Sequence, residues 1–227
     1  MGQKSGQTDN ALMVRFSAMI GILACVGDLY MIYLLGTRWS GYNPLLQAMS
    51  DLGHAGSPVA RSVSTGWIVM GLMFMIFGYG FYQVFSSDSK IAKTAGWMLA
   101  LYGIGEGLGS GLIAGTPGKI LQSPSSILHN LLGGMGVCAS ILLPFIIIKM
   151  FGARKSSASF WYCWFTTVSG LLFFILFAIS YIHHSQGYWL SLLGLWQRLF
   201  RLIYYLFFVY LAVLMINAKK TVHWNQT

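Results

Sequence analysis

Residues 41–58 read Gly41-Tyr-Asn-Pro-Leu-Leu-Gln-Ala-Met-Ser-Asp-Leu-Gly-His-Ala-Gly-Ser-Pro58 and form the most polar stretch of an otherwise apolar chain. The stretch separates two long apolar segments. Asn43 followed by Pro44 is typical of a helix start, because Asn caps free backbone N–H groups and Pro fits the first helical position. Gly53 is typical of a helix end. The pattern predicts a short amphipathic helix, which can lie in a membrane interface or fold back over a helix bundle.

The composition is that of a membrane protein. Hydrophobic residues make up 56% of the chain and charged residues 8%, whereas about a quarter of the residues in a soluble domain are charged. We therefore interpret residues 1–227 as a single polytopic membrane domain, with the lipid bilayer as its expected partner. The net charge of +9 comes from residues that flank apolar segments. Because no basic run or aromatic platform is present, nucleic-acid binding is not expected.

The apolar segments predict an all-α membrane protein with six transmembrane helices and the short amphipathic helix in the first outer loop. A span needs about 20 apolar residues. The segments of this length are 14–36, 63–85, 94–115, 128–150, 160–183 and 199–217.

The positive charges predict a multi-pass protein of the cell membrane with both termini in the cytoplasm, since cytoplasmic loops carry an excess of Lys and Arg. The loop at 41–58 then faces outward. The cytoplasmic set is Lys4, Arg15, Lys90, Lys93, Lys149, Arg154, Lys155, Lys219 and Lys220, and the outer set is Arg38, Arg61, Lys119, Arg198 and Arg201.

Two acidic residues lie inside the predicted spans, Asp28 in the first and Glu106 in the third. A charge in hydrocarbon costs several kcal/mol, so both are expected to face the interior and to be paired, hydrated or protonated. Either a structural contact or a functional role would explain them. Glu106 lies among glycines at four-residue spacing, which predicts close helix packing. The glycines are Gly103, Gly107, Gly111 and Gly115, with Gly105 and Gly109 on a neighbouring face.

The predicted topology brings several chemically useful side chains to the outer face. Asp51, His54 and His129 are the candidate catalytic residues. His54, His129, His183 and His184 are candidate ligands of a metal ion, with zinc the metal considered. Because the chain has no His-Glu-x-x-His or Cys-x-x-Cys motif, a zinc site would have to assemble from separate helices. Alternatively, the histidines simply end spans at the interface.

Arg198 and Arg201 are the candidate substrate-binding residues at the start of the sixth span, together with Gln47 and Ser50 of the loop. Two arginines one turn apart suit the phosphate or carboxylate of a head group. The alternative is ordinary snorkelling of both side chains to the membrane interface.

The chain resembles a bacterial and archaeal family of integral membrane proteins called domain of unknown function 998. The resemblance rests on Asn43-Pro-Leu-Leu-Gln-Ala-Met-Ser-Asp-Leu-Gly53, on the glycine-rich third span, on His129 and on Gly194-Leu-Trp-Gln-Arg198. It covers nearly the whole chain. It implies six helices and carries over no catalytic residue.

In residue types alone, the chain is also similar to membrane hydrolases of the ceramidase and progestin-receptor type, whose site combines a serine, an aspartate and three histidines. The order and the helix placement of these residues differ from that pattern. Three functions remain open from the sequence. They are a metal-dependent membrane hydrolase acting on a lipid or lipid-linked head group, a small proton- or cation-coupled transporter, and a non-catalytic assembly or regulatory protein.

Overall fold

A computed structural model describes residues 2–85, 90–115, 123–150, 158–183 and 188–222, which form helices joined by turns and loops and contain no strand. His184, Lys119, Arg154 and Lys155, which enter the predictions, lie outside these ranges. The elements are α1 (Gly2–Gly36), a 3₁₀ helix (Met49–Gly53), α2 (Ala60–Phe85), α3 (Lys90–Tyr102), a π-helix (Gly103–Gly109), α4 (Ser110–Leu112), α5 (Pro124–Met150), α6 (Ala158–His183), α7 (Tyr188–Ser191) and α8 (Leu193–Val222).

Within the described residues, five helices are long and apolar enough to cross a membrane. Each overlaps one of the predicted spans. The remaining predicted span, 94–115, is divided among α3, the π-helix and α4, none of which meets the length alone. The protein is therefore helical and multi-pass in character, with five candidate spans. The candidate spans are Leu12–Gly36, Ala60–Phe85, Pro124–Met150, Ala158–His183 and Leu193–Ala218.

The described helices close into a ring. Along the chain, α1 contacts α2, α2 contacts α3 and the π-helix, and these contact α5. From there α5 contacts α6, α6 contacts α8, and α8 returns to α1. The first and last long helices are thus neighbours. Buried apolar side chains from this ring form the main core, including Phe74, Phe77, Phe81, Leu99, Leu143, Phe207, Phe208 and Leu211.

Glycines let α3 and the π-helix, which belong to the predicted third span, approach α2 on one side and α5 on the other, as the glycine spacing predicts. A Cβ atom at Gly71 of α2 would lie 2.7 Å from the carbonyl oxygen of Gly103. On the other side, a Cβ atom at Gly105 would lie 2.6 Å from the backbone nitrogen of Gly136 in α5. Because the nearest atoms are backbone atoms, a side chain there would force the helices apart.

The loop helix predicted after Asn43 is present only in part. The Asn43 side chain accepts the N–H of Leu45 at 3.0 Å and starts a turn, and the 3₁₀ helix Met49–Gly53 follows separately. One continuous helix does not form because Leu195 and Arg198 of α8 donate to loop carbonyl oxygens. These oxygens would otherwise accept bonds along a helix.

Candidate functional site

The centre of the ring holds a buried charge cluster formed by Asp28 of α1, Glu106 of the π-helix, and Arg201 and Tyr205 of α8. Arg201 donates from Nη1 to Asp28 Oδ2 at 2.8 Å and from Nη2 to Glu106 Oε2 at 2.6 Å. The Tyr205 hydroxyl donates to the same Asp28 oxygen at 2.6 Å. One guanidinium therefore joins carboxyl groups from two other helices.

The two carboxyl groups differ in their surroundings. The Asp28 side chain is 1% exposed and that of Glu106 is 16% exposed. Asp28 Oδ2 accepts two hydrogen bonds, whereas Oδ1 is buried with no partner among the described residues. Glu106 has one bond, from Arg201. Asp28 is therefore the more buried of the two carboxyl groups and accepts more hydrogen bonds, and Glu106 is the more accessible.

The π-helix sets the position of Glu106. Its wider turn re-aims side chains relative to an α-helix, and such turns occur frequently at functional sites. The residues Gly103, Gly105, Gly107 and Gly109 of this turn are buried. A Cβ atom at Gly136 of α5 would lie 2.9 Å from Cγ of Glu106. The carboxyl group is therefore directed past α5 toward the centre of the ring, where it meets Arg201.

An aromatic layer, formed by Phe74, Tyr102, Tyr205 and Phe208, lies beside the charge cluster on the side away from the loop at 41–58. Ring centroids of Phe74 and Tyr102 are 5.0 Å apart, and those of Tyr102 and Phe208 are also 5.0 Å apart. Phe74 contacts Tyr205 and Phe208, each at 5.7 Å. The pairs Phe74–Tyr102, Phe74–Phe208 and Tyr102–Phe208 are edge-to-face, which is a favourable arrangement for aromatic rings. This layer closes the ring of helices on the side of the charge cluster that is away from the loop at 41–58.

On the opposite side, the loop at 41–58 docks on the start of α8. Arg198 donates to the carbonyl oxygens of Pro44 and Gln47 and to the Tyr42 hydroxyl. The Gln197 side chain accepts the N–H of Met49 at 2.6 Å. A side chain at Gly194 would clash with the oxygens of Pro44 and Gln47. The Asn43–Gly53 and Gly194–Arg198 motifs of the sequence thus form one contact.

Several predicted site residues take part in this docking. Gln47 accepts the N–H of Asn43 at 2.6 Å, in addition to giving its carbonyl oxygen to Arg198. Asp51 accepts the N–H of Ala48 at 3.1 Å. Burial raises the pKa of Asp51, against the lowering effects of the Ala48 N–H, His54 and Arg198. Burial also raises the pKa of Tyr42, against the lowering effect of Arg198. Ser50 is half-buried in the 3₁₀ helix.

Of the candidate metal ligands that the structure describes, His54 lies in the loop, His129 on α5 and His183 at the end of α6. His54 Nδ1 accepts the N–H of Gly56 at 3.0 Å, His129 Nδ1 bonds the carbonyl oxygen of Ile113 at 2.7 Å, and His183 is exposed at the end of α6. Within the described ranges, no three His, Cys, Asp or Glu side chains come together as a metal ion would require. His184 is outside those ranges.

Tyr205 is the site residue that the sequence analysis missed. It follows Arg201 by four residues and therefore lies on the same face of α8. Once Arg201 is assigned to the interior, this spacing directs Tyr205 inward as well. The four-residue spacing is visible in the sequence, but it identifies Tyr205 only when the face of α8 that points inward is known.

Replacing Arg198 with methionine is expected to loosen the docked loop. The change removes a charged donor from its acceptors while keeping much of the side-chain volume, and a hydrogen bond to a charged group contributes about 1.5–3 kcal/mol. We expect faster hydrogen–deuterium exchange over residues 43–49 and a lower melting temperature in detergent. Arg61→Met, which removes an exposed arginine at the start of α2, is the matched control. Equal exchange in the two variants would contradict the docking role.

The raised pKa of Asp51 predicts a pH-dependent stability. Because the folded state binds this proton more tightly than the unfolded state, stability is greatest below the ordinary Asp pKa of about 3.9 and falls as pH rises through the raised value. Asp51→Asn keeps an oxygen for the Ala48 N–H and cannot titrate. We expect the melting temperature of the wild type, relative to this variant, to rise on acidification. A difference that is constant with pH would refute this assignment.

Comparison with curated proteins and comparison with solved structures each found no match. The profile of a family described as "Protein of unknown function (DUF998)" matches residues 22–214. The match includes the docked loop, the three charged residues of the charge cluster and the start of α8. The chain belongs to this family of proteins of unknown function.

Proposed function

We propose that the protein is a small proton-coupled membrane transporter whose proton-binding group is the charge cluster. The observation that carries this proposal is the buried Arg201 bridging Asp28 and Glu106. One guanidinium offsets one carboxylate, and a second uncompensated negative charge inside an apolar ring costs several kcal/mol. Binding one proton removes that cost, so the cluster is suited to exist in a protonated and an ionised state.

The surroundings of the cluster support a transport role. Transporters expose a central site to one side of the membrane at a time. Here the aromatic layer closes the ring on the side away from the loop at 41–58. Glu106 keeps 16% of its side chain exposed. The cluster therefore has one closed side and one partly accessible acid, as a site caught in one of its two access states would have.

The same proposal includes a topology. In it, α3, the π-helix and α4 together make the sixth crossing, and both termini are cytoplasmic in the cell membrane. The support is their continuous path along α2 and α5. Single cysteines at the exposed positions 40, 90 and 125 test it with an impermeant reagent on intact cells. Labelling of 40 and 125 but not 90 is expected. Opposite sides for 40 and 125 would remove the sixth crossing.

Transport itself is tested in vesicles that contain the purified protein and an internal pH dye. A panel of small cations, organic acids, amino acids and sugars is added outside. We expect a solute that drives proton movement in wild-type vesicles and not in Glu106→Gln vesicles, because the amide cannot bind the proton. Absence of any solute-driven proton movement in the wild type would overturn the transport proposal.

The lipid hydrolase expected from the sequence is the second candidate and is tested by lipid hydrolysis with and without added zinc. Two of its proposed substrate-binding residues are engaged within the protein, because Arg198 donates to the loop and the Gln47 side chain accepts the N–H of Asn43. These contacts make the hydrolase the less favoured candidate. A purely structural role gives a third outcome, in which variants of the charge cluster lose stability and the wild type shows neither activity.

A further inference from the structure

We infer that protons reach Glu106 from the loop side through His129, across a gap that Gly133 leaves open. This inference rests on the proposed proton-binding role of Glu106 and assigns the route to it. The route consists of His129 and Gly133 on α5, and of Ser110 and Glu106 on the segment facing them.

The gap lies at the second oxygen of the Glu106 carboxyl group. A Cβ atom at Gly133 would lie 3.4 Å from Glu106 Oε1 and 3.9 Å from Ser110 Oγ. Glu106 Oε2 is the oxygen that Arg201 holds, so Oε1 faces this glycine. Because Gly133 has no side chain, the surface beside Oε1 is left open. The Ser110 hydroxyl group lies at the edge of this gap.

His129 lies one turn from Gly133 on the same face of α5, toward the loop side. It interacts electrostatically with Glu106. Its Nδ1 bonds the carbonyl oxygen of Ile113 at 2.7 Å, and because a carbonyl oxygen only accepts, Nδ1 carries the proton. That leaves Nε2 to take up and release a second proton. A Cβ atom at Gly115 would lie 3.4 Å from Nε2, so the glycine keeps this nitrogen uncovered.

The step moves one proton. The Nε2–H bond of the imidazolium breaks and an O–H bond forms on the Glu106 carboxylate, directly or through one water molecule. The imidazolium becomes neutral imidazole and the carboxylate becomes a carboxylic acid, so the total charge of the two groups is unchanged. Solvent at the loop side then reprotonates Nε2. Imidazole suits this role because one ring nitrogen can donate while the other accepts a proton.

The other groups facing Glu106 act on the equilibrium of the step. Arg201 of α8 contacts the Glu106 carboxyl group, and Asp28 of α1 shares the same guanidinium. Arg201 only donates, and the Oδ2 atom of Asp28 accepts its hydrogen bonds from Arg201 and Tyr205 of α8. His129 is thus the titratable group that connects Glu106 to the loop side among the described residues.

A pH jump with infrared detection of the carboxylic acid tests both proposals on the purified full-length chain. The equilibrium signal tests the proton-binding role, and it should titrate in the wild type and vanish in Glu106→Gln. The rate of its appearance tests the route. Gly133→Val fills the gap, and Gly134→Val is the matched control, since a Cβ atom there meets nothing within 4 Å in the described structure.

We expect Gly133→Val and His129→Asn to slow the signal about 100-fold, the scale of a positioned proton-transfer group, with its final amplitude kept. Asparagine retains a donor for Ile113 and cannot titrate, so the pH dependence of the rate should flatten. Gly134→Val should match the wild type. A titrating signal with wild-type rates in Gly133→Val and His129→Asn would overturn the route alone. A wild type with no titrating carboxyl signal would overturn the proton-binding role, and the route with it.

Discussion

Replacing Arg201 with methionine is expected to lower the free energy of unfolding by about 3–5 kcal/mol, the usual cost of removing one partner from a buried ion pair. Arg201 is the shared partner of Asp28 and Glu106. Its loss strands both carboxyl groups inside the ring. Methionine keeps an apolar side chain of comparable length, so lost volume contributes little. The measurement is denaturant-induced or thermal unfolding in detergent micelles.

The matched control for Arg201→Met replaces all three charged residues of the charge cluster. In the variant Asp28→Asn, Glu106→Gln and Arg201→Met, the charge cluster keeps no ionic group, and such neutral replacements are often equal to or more stable than the original. We expect it to regain most of the stability that Arg201→Met loses. If the triple variant were as unstable as the single one, the loss would come from packing and not from stranded charge.

Replacing Gly107 with alanine is expected to destabilise the protein by about 3 kcal/mol, near the upper end for overpacked cores. The added Cβ would collide with Cα of Gly71 and lie 3.0 Å from the carbonyl oxygen of Trp67. Backbone atoms cannot move aside by changing rotamer, so α2 and the π-helix must separate. That separation also displaces Glu106, and we expect weaker proton binding.

Gly134→Ala is the control for Gly107→Ala, because it makes the same chemical change at an exposed site of α5 where nothing described lies within 4 Å. Alanine is a better helix former by up to about 1 kcal/mol, so this variant should be neutral or slightly stabilised. Equal melting temperatures for the two alanine variants would show that the close approach at Gly107 contributes nothing.

Part of the site can be predicted from the sequence, because some properties of a residue constrain its position whichever helix becomes its partner. The cost of a charge in hydrocarbon assigns Asp28 and Glu106 to the interior wherever their helices pack. Glycine spacing alone identifies the face on which backbones approach, and Gly71 and Gly103 show that approach. Neither inference requires knowing which helix is the partner.

The sequence does not predict that Arg198 and Arg201 bind different partners. Both lie in the first turns of α8 and are alike in charge. One turn of depth and rotation puts Arg198 on the loop carbonyls and Arg201 on the carboxyl groups. The split of the loop helix has the same origin, since its carbonyl acceptors bond a helix about 150 residues later. Tertiary partners decide both.

The contact between α1 and α8 also bears on how the chain is made. Synthesis proceeds from the N-terminus, so Asp28 and Glu106 emerge well before Arg201. During that interval the membrane holds two acidic side chains without their cation, and protonation is the inexpensive way to keep them there. Insertion of the last helix then supplies Arg201, the cation that contacts both carboxyl groups in the native bundle. Nascent chains truncated before residue 193 should therefore be preferred substrates of membrane quality-control proteases.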